Sequence, residues 1–354
     1  MATIKIIRTD DEFRALKPEW DKIFAQNPDA RVFQSFDWNY CGWMNYHKRH
    51  FPESRLYILH MTRDGHVDQK AIVPGCLFPD GRFELLMQMI SDVVDIIEPP
   101  HSENWHNFYA DLAKFLKESS EIKRLFVFHL LPTSNFLRYV GVYFEHVRIA
   151  RMDAFSYLTV RQTDDFVGSL QHLTSKERSY VRSLGKKNTG GAYKLYSALS
   201  GEAFPKDALR TLRDWMCQHG MRKYSFFPDE TLDFIGDVYA CGKCDVSVLQ
   251  DPSGDFLEAS FRIYAGSHVN FWVVLYKESF MTTLVDACYM ANRAKQGDCV
   301  FDFGTGAYAY KLGTYRPEVE HLYTLYTYTL SFRHFYQECK EALRQYVKGL
   351  LGRA

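Results

Sequence analysis

No run of about 18 apolar residues occurs anywhere in the chain, so no membrane-spanning helix is expected. The N-terminus, MATIKIIRTDDEF, lacks the apolar core of a signal peptide. The 8 cysteines are scattered and show no disulfide framework, which makes the reducing cytoplasm the expected home. Net charge is also missing: Lys+Arg and Asp+Glu both number 43, so nothing in the overall balance calls for nucleic acid. The 13 histidines include no His-x-x-x-His and no His-Glu-x-x-His. The lone Cys241-x-x-Cys244 has neither a second pair nor suitably spaced histidines, so no metal is expected. Finally, no Pro-, Ser- or Gly-rich linker divides the chain.

What is present is a long, aromatic-rich globular sequence. Its 354 residues suggest two domains, and a 46% hydrophobic content is enough to fill sizeable cores. Strand and helix signals alternate. Residues 3–8 read as a strand, and Asp10 caps a helix that Pro18 breaks or bends. Val32 to Trp38 leads into a second helix, where Phe33 and Trp38 read as a hydrophobic staple at the helix start. Asp64-Gly65 marks a hairpin. Asp92 and Asp95 lie between strands in a stretch that reads as a solvated loop. The order hairpin, strands, helix, short apolar strand occurs twice, with helices at 105–118 and 279–297 and strands at 124–129 and 299–303. That rhyme predicts a duplicated mixed α/β unit with a boundary near Phe155, giving domains 1–155 and 156–354 and a tight interface.

The stretch Cys299–Pro317, CVFDFGTGAYAYKLGTYRP, carries the densest candidate chemistry. A short apolar strand ends in Asp302. Gly304 and Gly306 then let the backbone approach a ligand, and a tyrosine-rich loop carries Lys311. The residues allow a bland reading too, in which Asp302 caps a turn, or Asp302 and Lys311 pair and hold the loop. On helix 175–187, Arg178 and Arg182 share a face, and Lys186 extends it. Such a stripe can hold phosphates or be a solvated face.

The order Phe301-Asp302-Phe303-Gly304, spacer, Tyr310-Lys311, aromatic resembles the signature of the BioF-like, CelD-type acetyltransferases. That group belongs to the GNAT superfamily and is related to the Fem peptidyl transferases. The likeness runs from about Ser175 to Tyr328 and is fainter before it. It implies a mixed α/β fold of two tandem GNAT-like domains sharing a cleft. It also implies acyl transfer from an activated donor, an acyl-CoA or similar thioester, to an amine of a small-molecule or envelope-related acceptor. In that frame Asp302 orients or deprotonates the nucleophile, Lys311 stabilises a developing oxyanion or pairs with a phosphate, and Tyr308, Tyr310 or Tyr315 protonates the leaving group. Arg178 and Arg182 would face the cleft and bind donor or acceptor, as would Gly304, Gly306, Tyr308 and the Phe33, Ser35, Trp38 entry. One departure matters. The turn Tyr276–Met281 has no glycine where such enzymes hold the pyrophosphate of coenzyme A. This favours the alternatives of an aminoacyl-tRNA or a carrier-protein thioester as donor, or a degenerate domain pair that only binds.

Overall fold

A computed structural model describes residues 2–63, 70–99, 105–140, 147–170, 173–184, 193–277, 279–306 and 308–327. The expected turn at Asp64-Gly65, the end of the 175–187 helix with Lys186, and a closing helix expected over 331–351 lie outside them. In the first half, β1 (Ala2–Ile7) is followed by helices Asp10–Ala15, Lys17–Gln26 and Phe36–Gly42. Then come β2 (Arg55–Leu56), β3 (Ile58–Arg63), β4 (Lys70–Val73), β5 (Gly75–Leu77), β6 (Arg82–Leu85), helix Trp105–Glu118, β7 (Arg124–Leu130) and β8 (Val147–Val160). In the second half, helices Phe166–Ser169 and Ser175–Leu184 precede β9 (Tyr193–Ser197), and helices Lys206–Gln218 and Asp229–Ala240 follow it. The chain continues through β10 (Cys244–Gln250), β11 (Phe256–Ala265), β12 (His268–Tyr276), helix Ser279–Ala294, β13 (Cys299–Thr305), helix Ala309–Tyr315 and β14 (Glu318–Thr327).

Pro18 does end a helix: Leu16 closes one, and Lys17-Pro18 opens the next, where a missing N–H costs nothing. The boundary expected near Phe155 falls inside one continuous strand, β8.

β1, β3 and β4 form one small sheet; the other strands form a second, in the order β2-β5-β6-β7-β14-β8-β13-β12-β11-β10-β9. The centre of that order is an exchange. β8, the last strand of the first half, pairs antiparallel with β13 of the second. β14, the last strand of the second half, pairs antiparallel with β7 of the first, and β8 and β14 also pair with each other. Each half therefore completes the other's ladder, and separating them would leave backbone donors and acceptors without partners.

β11 shows why the second half is layered. Glu258, Ser260 and Arg262 alternate with Ala259, Phe261 and Ile263, so successive residues face opposite sides of the sheet. The apolar set joins the largest core, shared with Trp38, Phe33 and Phe36 of the first half. On the other side Arg262, fully buried, ion-pairs with Asp286 of helix Ser279–Ala294.

Candidate active site

The site is built where two parallel strands part. β12 and β13 pair at His268↔Val300, Val269↔Phe301 and Asn270↔Asp302, and the ladder goes no further. Beyond that point β13 passes through Gly304 (φ +70°) and leads out into Gly306 (φ +88°), conformations open to glycine and strained for other residues. Gly304 also has no room for a side chain, since a Cβ there would sit 2.6 Å from Asp92 Oδ2. The first half contains the same fork: parallel β6 and β7 pair only at Arg82↔Arg124 and Phe83↔Leu125. There the gap is filled. Gln88 donates from Nε2 to Phe126 O at 3.2 Å and accepts at Oε1 from Phe128 N at 3.4 Å, standing in for a strand residue.

Asp302 sits at the apex of the second fork, 2% exposed. Arg31 Nη1 donates to its Oδ2 at 3.1 Å and to its Oδ1 at 3.3 Å. Burial raises the Asp302 carboxyl to about 7, with Arg31 pulling it down and Asp92 pushing it up. Arg31 also reaches His268 Nδ1. Burial, helped by the Arg31 charge, lowers His268 to about 4, so its ring is neutral and accepts that hydrogen bond.

Asp92 closes the fork from the first half. Its Oδ2 accepts from Asn270 Nδ2 at 3.2 Å. Its Oδ1 accepts from Thr305 N at 3.3 Å and Thr305 Oγ1 at 3.4 Å. Burial raises its carboxyl above the ordinary value. The loop reaches the site because Trp272 Nε1 donates to Ile90 O at 2.8 Å, and Trp38, whose ring stands 5.3 Å from Trp272, donates to Ser91 Oγ at 2.9 Å. The acidic stretch is thus an internal part of the site and not a solvated loop. Asp95, on the same stretch, is likewise pushed up by burial, to about 7.

Lys311 lies on helix Ala309–Tyr315 rather than on a loop, and is 8% exposed. It does not pair with Asp302; its Nζ donates to Phe303 O and, at 3.1 Å, to Thr305 O, the carbonyls on either side of Gly304. Burial lowers its pKa, while Asp92 and Asp286 oppose the shift. Its ammonium lies 5.1 Å from the ring centre of Tyr308, which is 59% exposed. Tyr310 is on the same helix, with its side chain outside the described ones. Tyr315 stacks on Phe303 at 4.9 Å and donates to Thr283 O at 2.9 Å, which spends its proton on structure.

The remaining expected residues stand apart. Phe33, Ser35 and Trp38 are buried and offer a ligand no surface. Ser35 caps helix Phe36–Gly42, and Trp38 packs edge-on against Phe33, Phe234 and Trp272, so these residues wall the site from behind. Arg178 is spent on Leu170 O and Leu173 O, and Arg182 on Asp165 at 3.1 Å. Both brace their own helix pair, and neither is among the groups gathered around Asp302. A cavity of about 400 Å³ lies on that side, lined in part by Phe166, Leu170, Tyr315, Arg161 and Arg316. Among the described residues no group of His, Cys, Asp and Glu side chains is placed to hold a metal, and no helix is long and apolar enough to cross a membrane.

No family model matches the sequence, and no curated protein matches it. Solved structures do match along nearly the whole chain. FemX superposes with a TM-score of 0.59 at 12% identity, covering 91% of this chain and 96% of that one. The C-terminal domain of a putative lysylphosphatidylglycerol synthetase from Agrobacterium fabrum does so with a TM-score of 0.53 at 12% identity, covering 96% and 97%. L-PGS from Bacillus licheniformis gives 0.50 at 13% identity, covering 90% and 94%. At such identities the likeness is one of fold: a mixed α/β fold shared with these three structures over nearly the whole chain.

Proposed function

We propose that the protein is an acyltransferase, moving an acyl group from a thioester donor to an amine at the fork between β12 and β13. The observation that carries this reading is the parting of the two strands immediately after Asn270 and Asp302. Past that point β12 turns an unladdered backbone edge toward β13, and an amide-bearing donor arm can hydrogen-bond to such an edge as a strand would. Asp302 is the base. A carboxyl titrating near neutrality is matched to taking a proton from an amine at neutral pH. The amine nitrogen bonds to the carbonyl carbon, the carbonyl electron pair moves to oxygen and returns, and the carbon–sulfur bond breaks. The amine proton passes to Asp302, and Tyr308 or Tyr310 supplies one to the thiolate. Lys311 holds the Gly304 turn in shape and keeps a positive charge beside it. Gln88 fills the first-half fork, which leaves the second half, 156–354 with its seam at Phe155, as the catalytic one. The seven described cysteines are free thiols, which suits the cytoplasm.

An aminoacyl-tRNA donor is the second reading, favoured by the glycine-free turn Tyr276–Met281. Labelled acetyl-CoA and labelled aminoacyl-tRNA, each offered with a panel of amines, separate the two. The reading expects transfer from one donor and loss of transfer in Asp302→Asn with the fold intact. An Asp302→Asn protein that transfers at the wild-type rate refutes it.

A further inference from the structure

The three hydrogen bonds that Asp92 accepts share a geometry that an acyl carbonyl could use. Thr305 N–H, Thr305 Oγ1–H and Asn270 Nδ2 come from the two walls of the fork, at 3.2–3.4 Å from one carboxylate. Two of the donors belong to a turn that is held rigid. Lys311 clamps the carbonyls flanking Gly304, and the missing Cβ of Gly304 gives the carboxylate its room. Two of them meet at one oxygen, Oδ1, and Asn270 Nδ2 stands at the other, Oδ2. Donors fixed in advance around a pair of adjoining oxygen positions, beside a buried ammonium, are what a developing oxyanion requires. Asn270 adds a second sign that the place is built for a polar guest. It is 2% exposed, yet its Oδ1 has no hydrogen-bond partner, an arrangement native interiors rarely leave.

We propose that Thr305 N–H, Thr305 Oγ1 and Asn270 Nδ2 form an oxyanion-binding site for the acyl carbonyl, and that Asp92 occupies it as a built-in stand-in when no donor is bound. The site takes the oxygen of a thioester or ester carbonyl and the negative charge that oxygen gains when the amine adds. A donor enters by displacing the Asp92 carboxylate, and the loop carrying it withdraws with its hold on Trp272. The assignment rests on the acyl-transfer reading for the identity of its guest, but its donor set can be tested without any acyl donor.

The test is rescue of Asp92→Ala by sodium formate, the smallest carboxylate, with sodium chloride at equal ionic strength as control. Thermal midpoint is the readout. The variant melts below the wild type in chloride, and formate raises its midpoint in a saturable way. Formate leaves the wild type and Asp92→Asn unchanged, because their own side chains fill the site. Adding Asn270→Leu to Asp92→Ala weakens the formate effect by about tenfold or more, the loss expected for one hydrogen bond to a charged acceptor. If Asp92→Ala folds only in formate, that is the same rescue. Equal behaviour in formate and chloride, including failure to fold in both, overturns the proposal. Rescue by formate in a protein that transfers no acyl group keeps the anion site and sinks the acyl-transfer reading; transfer without rescue does the reverse.

Discussion

Arg31→Met isolates the force that sets the Asp302 carboxyl. Methionine keeps most of the aliphatic stem of a side chain that is largely buried and removes the guanidinium 3.1 Å from Oδ2. At that separation Coulomb's law gives about 1.3 kcal/mol in water and about 5 kcal/mol at an effective dielectric constant of about 20. Divided by about 1.4 kcal/mol per unit, the loss raises the Asp302 pKa by about 1 to 4 units. The carboxyl already sits at about 7 with Arg31 in place, because burial outweighs the ion pair. The variant should therefore titrate at about 8 or above, given even the weakest estimate. His268 does not take over, since burial is the main reason its ring stays neutral. Stability follows with a definite sign. Below neutral pH both proteins hold Asp302 protonated, and the electrostatic difference vanishes. As pH rises past the wild-type value, only the variant's folded state keeps its proton, so it loses stability relative to wild type by about 1.4 kcal/mol per pH unit until its own pKa is passed. Carbon-13 NMR of labelled aspartate carboxyls reads the titration, and urea melts at pH 6 and 8.5 read the stability. An Asp302 titration that is unchanged or lowered would refute the reasoning.

Three further outcomes follow from the same geometry. Gly304→Ala should cost about 1–3 kcal/mol in urea unfolding, since the residue is held at φ +70° with Asp92 where its methyl would go, and Gly313→Ala, with open space at its Cβ, should not. Lys311→Met should cost about 2–4 kcal/mol, two buried carbonyls losing a charged donor less the relief of an ammonium no longer buried; a variant as stable as wild type would show the clamp to be idle. Glu258, raised by burial to about 8, makes the folded state lose stability as pH rises from its unfolded value toward 8. Glu258→Gln should flatten that slope by up to about 1.4 kcal/mol per unit, and an unchanged slope in urea midpoints between pH 5 and 8 would contradict the assignment.

The sequence made local features readable and left contacts between distant segments hidden. A strand ending in Asp302, followed by Gly304 and Gly306, is a pattern within one stretch of chain, and the duplicated order of hairpin, helix and apolar strand is equally local. Arg31, His268 and Asn270 escaped notice, and Asp92 was placed in a solvated loop, because their meaning comes from pairing across the exchanged halves. Asp92 lies over 200 positions from Thr305 in the chain, and nothing in SDVVDII distinguishes a carboxylate aimed into a fork from one in water. Lys311 was read on a loop because Gly304 and Gly306 precede it; a short helix forms after them, with Lys311 anchored on the β13 carbonyls and Tyr315 stacked on Phe303. The Phe33-Ser35-Trp38 entry read as a staple at a helix start, with ligand contact implied only by the resemblance, and the structure packs Trp38 edge-on against Phe33, Phe234 and Trp272 in a buried cluster that joins the two halves. Hydrophobic patterning cannot tell a groove wall from a packed wall when both are aromatic.

The most direct measurement is a structure of the protein with a methyl-ketone analogue of an acyl thioester, which binds as a donor does and cannot transfer its group. The account predicts the ketone oxygen within hydrogen-bond reach of Thr305 N, its arm between β12 and β13, and Asp302 beside an open path for an amine. An analogue seated in the cavity lined by Phe166, Leu170 and Arg316, or in the Gln88 fork of the first half, with β12 and β13 untouched, would contradict it.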